Sequence, residues 1–321
     1  MDMIFQLLIL ALGFVCLVKG ADWFVDGAVG IATKFGIPQI VIGLTIVAMG
    51  TSAPEAAVSI TAALQGSAEI TIGNVVGSNI LNILIILGIS ALVYPLVVAK
   101  TTIWADIPVM IGATILLFAL GYDGIVSRLD AGILLVFFVA YLGFLFYLTK
   151  KNKSEEKLLT SSDIEKENSS ETEKKLSLSK ALILTAIGLG LIILGSNFAV
   201  DAASAIARMV GLSERFIGLT IVALGTSLPE LFTSVSASIK KNSDIAIGNI
   251  VGSNIFNILF IVGLSGLIIP VPFVEAFRFD TIIALAAAIL LFLFAIPKKR
   301  LSRVSGIVML LAYVAYFIWI L

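Results

Sequence analysis

The chain has 321 residues, of which 59% are hydrophobic and 13% charged, with a net charge of zero and a mean hydropathy of +1.11. Soluble globules run nearer half apolar and a quarter charged, so a water-soluble domain is excluded. There is no histidine, which removes imidazole general-base chemistry and most zinc sites. The only cysteine, Cys16, lies in an apolar run and reads as a packing thiol.

Roughly 190 apolar residues suffice for nine or ten bilayer crossings at about 20 residues each. Met1, Asp2 and Met3 precede the first apolar run with no Lys or Arg, so that run is expected to be a retained helix and not a cleaved signal. In chain order, apolar segments are predicted near 4–31, 38–64, 70–94, 102–121 and 128–149. A second set follows near 180–207, 214–239, 245–269, 279–296 and 303–321. Residues 150–179 between them include KKNKSEEKLLTSSDIEKENSSETEKK, too charged to enter hydrocarbon and too polar to build a core. This segment is predicted to be a hydrophilic tether joining two halves, 1–149 and 180–321.

The halves are copies. Gly20–Pro95 aligns with Gly195–Pro270 without a gap at a constant shift of 175 residues. The strongest matches are IGLTIVAMGTSAPE (Ile42–Glu55) with IGLTIVALGTSLPE (Ile217–Glu230), and IGNVVGSNILNIL (Ile72–Leu84) with IGNIVGSNIFNIL (Ile247–Leu259). If the central segment is cytoplasmic, Lys34, Lys100, Lys240, Lys241, Lys298, Lys299, Arg300 and Arg303 also fall inside, against Arg128, Arg208, Arg215 and Arg278 outside. The N-terminus is then outside. Five crossings per copy is an odd number, so the second copy enters the membrane upside down. The expected fold class is therefore an all-α polytopic membrane protein of ten transmembrane helices, built as two inverted five-helix repeats, an architecture of alternating-access transporters.

Glu55 and Glu230 lie in apolar stretches, where an ionised carboxylate normally faces an aqueous cavity or a cation. Between the loop ends, at one of which Arg215 sits, no Lys or Arg occurs in the second or third segment of either copy, so a cation is the simplest compensation. Gly50 and Pro54, like Gly225 and Pro229, disturb the helical hydrogen-bond ladder beside each carboxylate. Thr51, Ser52, Thr226 and Ser227 add hydroxyls. The third segments add Asn74, Ser78 and Asn82, and Asn249, Ser253 and Asn257, at steps of four that share a helix face. The set is all oxygen, which suits hard cations such as Ca²⁺ and Na⁺ and not zinc or copper. The GxxxG spacings of Gly73 with Gly77 and Gly248 with Gly252 would equally serve helix packing. Lys19, Asp22 and Asp26 share a helix face and are compatible with local pairing. Asp26 and its equivalent Asp201 read as structural or vestibular groups, and Asp106 finds no role.

GTSAPE and GTSLPE, each followed by GNVVGSNILN or GNIVGSNIFN, resemble the two α-repeats of the Na⁺/Ca²⁺ exchangers, in the cation/Ca²⁺ exchanger superfamily and of prokaryotic type. The resemblance spans nearly the whole chain. It implies ten helices with a central site formed by the second, third, seventh and eighth, and a sliding pair formed by the first and sixth. It further implies that Glu55 and Glu230 are shared ligands of Ca²⁺ and Na⁺. Thr51 and Thr226, the carbonyls of Ala48 and Ala223, and Ser52, Ser78, Ser227 and Ser253 would complete cation sites, with Asn82 and Asn257 lining the centre. Some relatives, including K⁺-dependent members, carry Asp where Asn257 stands, so K⁺-independent exchange is implied.

The expected function is a secondary antiporter of the cell membrane that exchanges Na⁺ for Ca²⁺, electrogenically and by alternating access. It is expected to be no enzyme and to need no cofactor, the ions being cargo, with the lipid bilayer as its surroundings and no nucleic acid or obligate protein partner. H⁺/Ca²⁺ antiport through the same glutamates is the runner-up. An intramembrane aspartyl enzyme using Asp26 and Asp201, and a channel, are the rivals from other classes.

Overall fold

A computed structural model describes residues 3–160, 176–210 and 223–320. Helix α1 (Met3–Phe35) ends at Gly36, whose φ of 58° lets the Ile37 N–H turn back onto the Ala32 carbonyl. Helix α2 is broken into Gln39–Thr51 and Ala53–Leu64, bent by 49°. Then come α3 (Glu69–Val93), α4 (Thr102–Leu120) and α5 (Arg128–Thr160). The second copy has α6 (Leu178–Met209), α7 (described as Ala223–Thr226 and Leu228–Ile239), α8 (Ser243–Ile268), α9 (Glu275–Lys298) and α10 (Arg303–Ile320). Each falls on a predicted segment, with 214–222 lying outside the described residues. Helix α5 passes the expected boundary and runs to Thr160; 161–175 lie outside the described residues.

The duplication is visible as a pseudo-twofold arrangement. Helices α1 and α6 run antiparallel in close contact: a Cβ on Gly13 would lie 2.9 Å from the Gly195 carbonyl, and one on Gly20 2.8 Å from the Gly188 carbonyl. Gly20 and Gly195 are repeat equivalents, as are Gly13 and Gly188, so the pair packs on itself through small residues. Two-residue strands link the copies. Leu96–Val97 (β1) pairs with Arg300–Leu301 (β4), and Ile125–Val126 (β2) pairs with Val271–Pro272 (β3). Strands β1 and β2 flank α4 and lie at its opposite ends, yet β3, the copy of β1, joins β2. The second copy is therefore inverted. Arg128 donates to the Leu267 and Ile268 carbonyls at the end of α8, and its equivalent Arg303 donates to the Leu92 carbonyl at the end of α3.

Helices α3 and α8 form the centre, with 78% and 94% of their apolar windows buried, against 39% or less for the other unbroken spans. The outer helices expose Leu129, Phe146 and Val304, as a lipid-facing surface requires. Gly248 and Gly252 let α8 approach α2: their Cβ positions would meet the backbone of Gly43 and Leu44. Among the described residues, the Cβ position of Gly73, the equivalent of Gly248, lies 3.5 Å from the Phe277 ring, and that of Gly77 has nothing within 4 Å.

Candidate functional site: a buried cluster of oxygens between the copies

Pro54 and Pro229 sit in the first turns of the second halves of α2 and α7, where a missing N–H is tolerated. The same residues leave the carbonyls four positions back without their helical donor. In the second copy that carbonyl, of Gly225, is taken by the Ser196 hydroxyl at 2.7 Å. The first copy has Ala21 at the equivalent place, so no such hydroxyl exists there. The Ala48 carbonyl, a cation ligand in the family resemblance, is already engaged. It accepts from the Ser52 N–H at 3.0 Å, and the Thr51 and Ser253 hydroxyls lie 3.3 and 3.4 Å away. Ala223 opens the described part of α7.

Glu55 and Glu230 each occupy the first turn of the helix that follows the break, where the helix dipole favours negative charge. Both are fully buried. The N-cap serines do not cap their own helices; each reaches across to the other copy. Ser52 donates to Glu230 Oε1 at 2.7 Å, and Ser227 to Glu55 Oε1 at 3.3 Å, with the Ser78 hydroxyl 3.4 Å from that of Ser227. The second oxygen of each carboxylate, Oε2, has no donor among the described residues. Among the described residues no lysine or arginine pairs with either glutamate.

The third helices complete the cluster. Asn74 donates to the Glu55 carbonyl and the Ser59 hydroxyl, at 3.1 and 2.9 Å, and Asn249 to the Glu230 carbonyl and the Ser234 hydroxyl, at 3.4 and 2.9 Å. Asn249 also accepts from Thr51 at 3.0 Å. Thr226, the equivalent of Thr51, has a buried hydroxyl without a partner. Beyond these lie two asparagines that spacing alone had not singled out. Asn79 and Asn254 exchange side-chain to backbone hydrogen bonds at 3.1 and 3.2 Å. Their side-chain oxygens then accept from Asn257 and Asn82, both at 3.0 Å. With their amide nitrogens engaged, Asn82 and Asn257 each keep a buried Oδ1 that nothing donates to. The signal was available: both residues lie in the duplicated GSN triplets.

Asn82 and Asn257 also open π-helical turns, Asn82–Ile86 and Asn257–Val262, where the register of the backbone ladder widens by one residue. Sequence periodicity could not show this, since the turns NILII and NILFIV lie in helices that are apolar on nearly every face and carry no stripe for a one-residue shift to displace. The predicted residues thus converge: Glu55, Glu230, Ser52, Ser227, Ser78, Ser253, Thr51 and the Ala48 carbonyl are joined by hydrogen bonds or short contacts, with Asn82 and Asn257 held in the adjoining asparagine network. Thr226 borders a cavity of about 570 Å³ between α6 and the second half of α2, also lined by Pro54, Ala57, Asn197, Asp201 and Gly225. Asp22 and Asp26 do not pair within their helix as their spacing suggested: Lys240, from the end of α7, lies 3.7 Å from Asp22 and 2.7 Å from Asp26.

Comparison with known proteins places the chain in a family. The sodium/calcium exchanger protein family matches residues 5–147 and 180–321, which is both copies. The chain belongs to the sodium/calcium exchanger family. A sodium/calcium exchanger of Methanosarcina acetivorans, MaX1, is 36% identical over 339 residues, covering 97% of each chain. A putative antiporter of Alkalimonas amylolytica, CaxA, is 40% identical over 308 residues, covering 95% of each. The solved structure of the sodium-calcium exchanger NCX_Mj, soaked with Na⁺ and Sr²⁺, superposes with a TM-score of 0.84 at 33% identity, over 98% of this chain and 99% of that one. The family is one of multi-pass membrane exchangers and not of enzymes, so the chain is a membrane transporter, as its sequence indicated.

Proposed function

We propose that this exchanger moves Ca²⁺ against Na⁺ across the cell membrane through the cluster around Glu55 and Glu230, by alternating access, electrogenically and without K⁺. One observation carries the reading: four buried acceptors, Glu55 Oε2, Glu230 Oε2, Asn82 Oδ1 and Asn257 Oδ1, have no hydrogen-bond donor among the described residues. A buried acceptor left unpaired costs about 1–3 kcal/mol, and more if charged. A bound cation removes that cost. Hydroxyls, amides and two carboxylates form an oxygen set that suits Ca²⁺ or Na⁺. The names of MaX1 and NCX_Mj support the same ion pair. Thr51, Thr226, Ser52, Ser227, Ser78 and Ser253, with the carbonyls of Ala48 and Ala223, supply the further ligands in this reading. The excess of Lys and Arg in one set of loops supports a cytoplasmic central segment and an outside N-terminus.

The test is Ca²⁺ uptake by proteoliposomes loaded with Na⁺. Uptake that requires the outward Na⁺ gradient, and is unchanged on removing K⁺, is the expected result. Uptake that follows an imposed pH gradient and ignores Na⁺ would replace this reading by H⁺/Ca²⁺ antiport through the same glutamates. Flux without any counter-ion would mean a channel.

A further inference from the structure

Among the described residues, the two ends of the molecule are closed to different degrees. At the end assigned above to the cytoplasm, α1 packs on the second half of α7. Phe14 meets Phe232 with ring centroids 6.0 Å apart, and the Ser236 hydroxyl donates to Asp22 at 2.7 Å. Lys240 donates at 2.7 Å both to the Asp22 carbonyl and to the Asp26 carboxylate. At the other end, the equivalent elements are α6 and the second half of α2, and the cavity of about 570 Å³ lies between them. The equivalents of Asp22, Asp26, Ser236 and Lys240 there are Asn197, Asp201, Thr61 and Gln65, all exposed. Closing the outer end by the same packing would bring Asp201 to a neutral amide where Asp26 meets an ammonium, and Asn197 would stand where Asp22 does.

We infer that Lys240, with Asp22, Asp26 and Ser236, is a latch that holds the cytoplasmic end shut, and that Gln65 in place of a second lysine biases the resting exchanger toward the outward-open state. The inference rests on the alternating-access reading and adds to it a bias specific to this chain. A ligand-free carrier distributes between its two states by the free-energy difference between its two seals. An ion pair on one seal only, partly exposed and reinforced by a bond to a backbone carbonyl, shifts that distribution about two- to fivefold.

The experiment reads each end separately. In a Cys16→Ala background, one cysteine is placed on the wall of the outer cavity (Ala57→Cys) or, in a second protein, on the second half of α7 facing the other end (Thr233→Cys). Both are labelled in proteoliposomes by a membrane-impermeant charged thiol reagent added to one side at a time. Ala57→Cys is expected to react from the outside and Thr233→Cys slowly from the inside. Adding Lys240→Gln is expected to slow the first and speed the second, changing their ratio about two- to fivefold. Gln65→Lys, on an exposed outer position where misfolding is no concern, is expected to move the ratio the same way by giving Asp201 the partner it lacks. Unchanged ratios in both variants would overturn the latch, even with Na⁺-driven Ca²⁺ flux intact. Shifted ratios in a protein with no such flux would leave the latch standing and remove the proposed ion pair.

Discussion

Around the two glutamates a shift of 175 residues carries the bonds of one copy into those of the other, whereas at the rims the same shift turns Lys240 into Gln65 and Asp22 into Asn197. Ser52 and Ser227 cross over, Asn74 and Asn249 make matching pairs of bonds, and Asn79 and Asn254 orient Asn257 and Asn82. The centre departs from this at Thr51 and Thr226: the first bonds Asn249, and the second stands beside the outer cavity without a partner. The difference has a physical origin. On the alternating-access reading proposed above, both copies face one shared cluster and meet it with equivalent ligands in either access state. On that reading the rims are never open together and each closes separately, so their bonds can differ, and the proposed latch is one such difference.

The comparison breaks most severely if one glutamate is neutralised. Glu55→Gln and Glu230→Gln keep shape but remove one of the two charges that match a divalent ion, and each alone is expected to lower Ca²⁺ flux about a hundredfold or more, as a loss near 3 kcal/mol implies. Similar losses from both support an equivalent pair; near-normal flux by either would remove that residue from the cation site.

Next in size is voltage. Two carboxylates are neutralised by one Ca²⁺, while three Na⁺, the number the family resemblance suggests, leave one positive charge. Moving one charge through the full field is worth about 2.3 kcal/mol per 100 mV, or roughly fiftyfold in the transport equilibrium. The reversal potential of exchange, measured in vesicles with a K⁺/valinomycin voltage, is expected to move accordingly. Asn257→Asp, which breaks the match with Asn82 by adding an acid, is expected to alter this charge balance. A flux direction indifferent to voltage would mean two Na⁺ per Ca²⁺ or a compensating proton.

The asparagine network offers a milder and more symmetric test. Asn79→Ala releases the Asn257 amide and Asn254→Ala that of Asn82, so each is expected to weaken apparent Ca²⁺ affinity about tenfold, a cost near 1.4 kcal/mol for one buried hydrogen bond lost. A change in turnover with unchanged affinity would deny these residues a positioning role. The smallest effect is expected at Ser196. Ser196→Ala leaves the Gly225 carbonyl without its donor and should cost about 1 kcal/mol of stability, whereas Ala21→Ser offers the first copy the hydroxyl it lacks. Unfolding in detergent, followed as a function of denaturant, compares the two.

Much of this molecule is written in its sequence. Apolar length alone marks the ten segments, because a bilayer admits only stretches that satisfy their own backbone and shed few charges. The 175-residue duplication, with an odd number of crossings per copy, dictates the inversion. Glu55 and Glu230 are legible because a carboxylate in hydrocarbon is too costly to be incidental. Three features came only from the tertiary structure. Which oxygens lack donors depends on how Asn79 and Asn254 spend their amides, a matter of hydrogen-bond bookkeeping across helices far apart in the chain. The π turns at Asn82 and Asn257 fall in runs that are apolar on nearly every face, so the shift they impose leaves no trace in the pattern. The pairing of Lys240 with Asp22 and Asp26 joins residues more than 200 positions apart; helix spacing could offer only Lys19, because a sequence shows neighbours along one helix but not which helix will be packed against it.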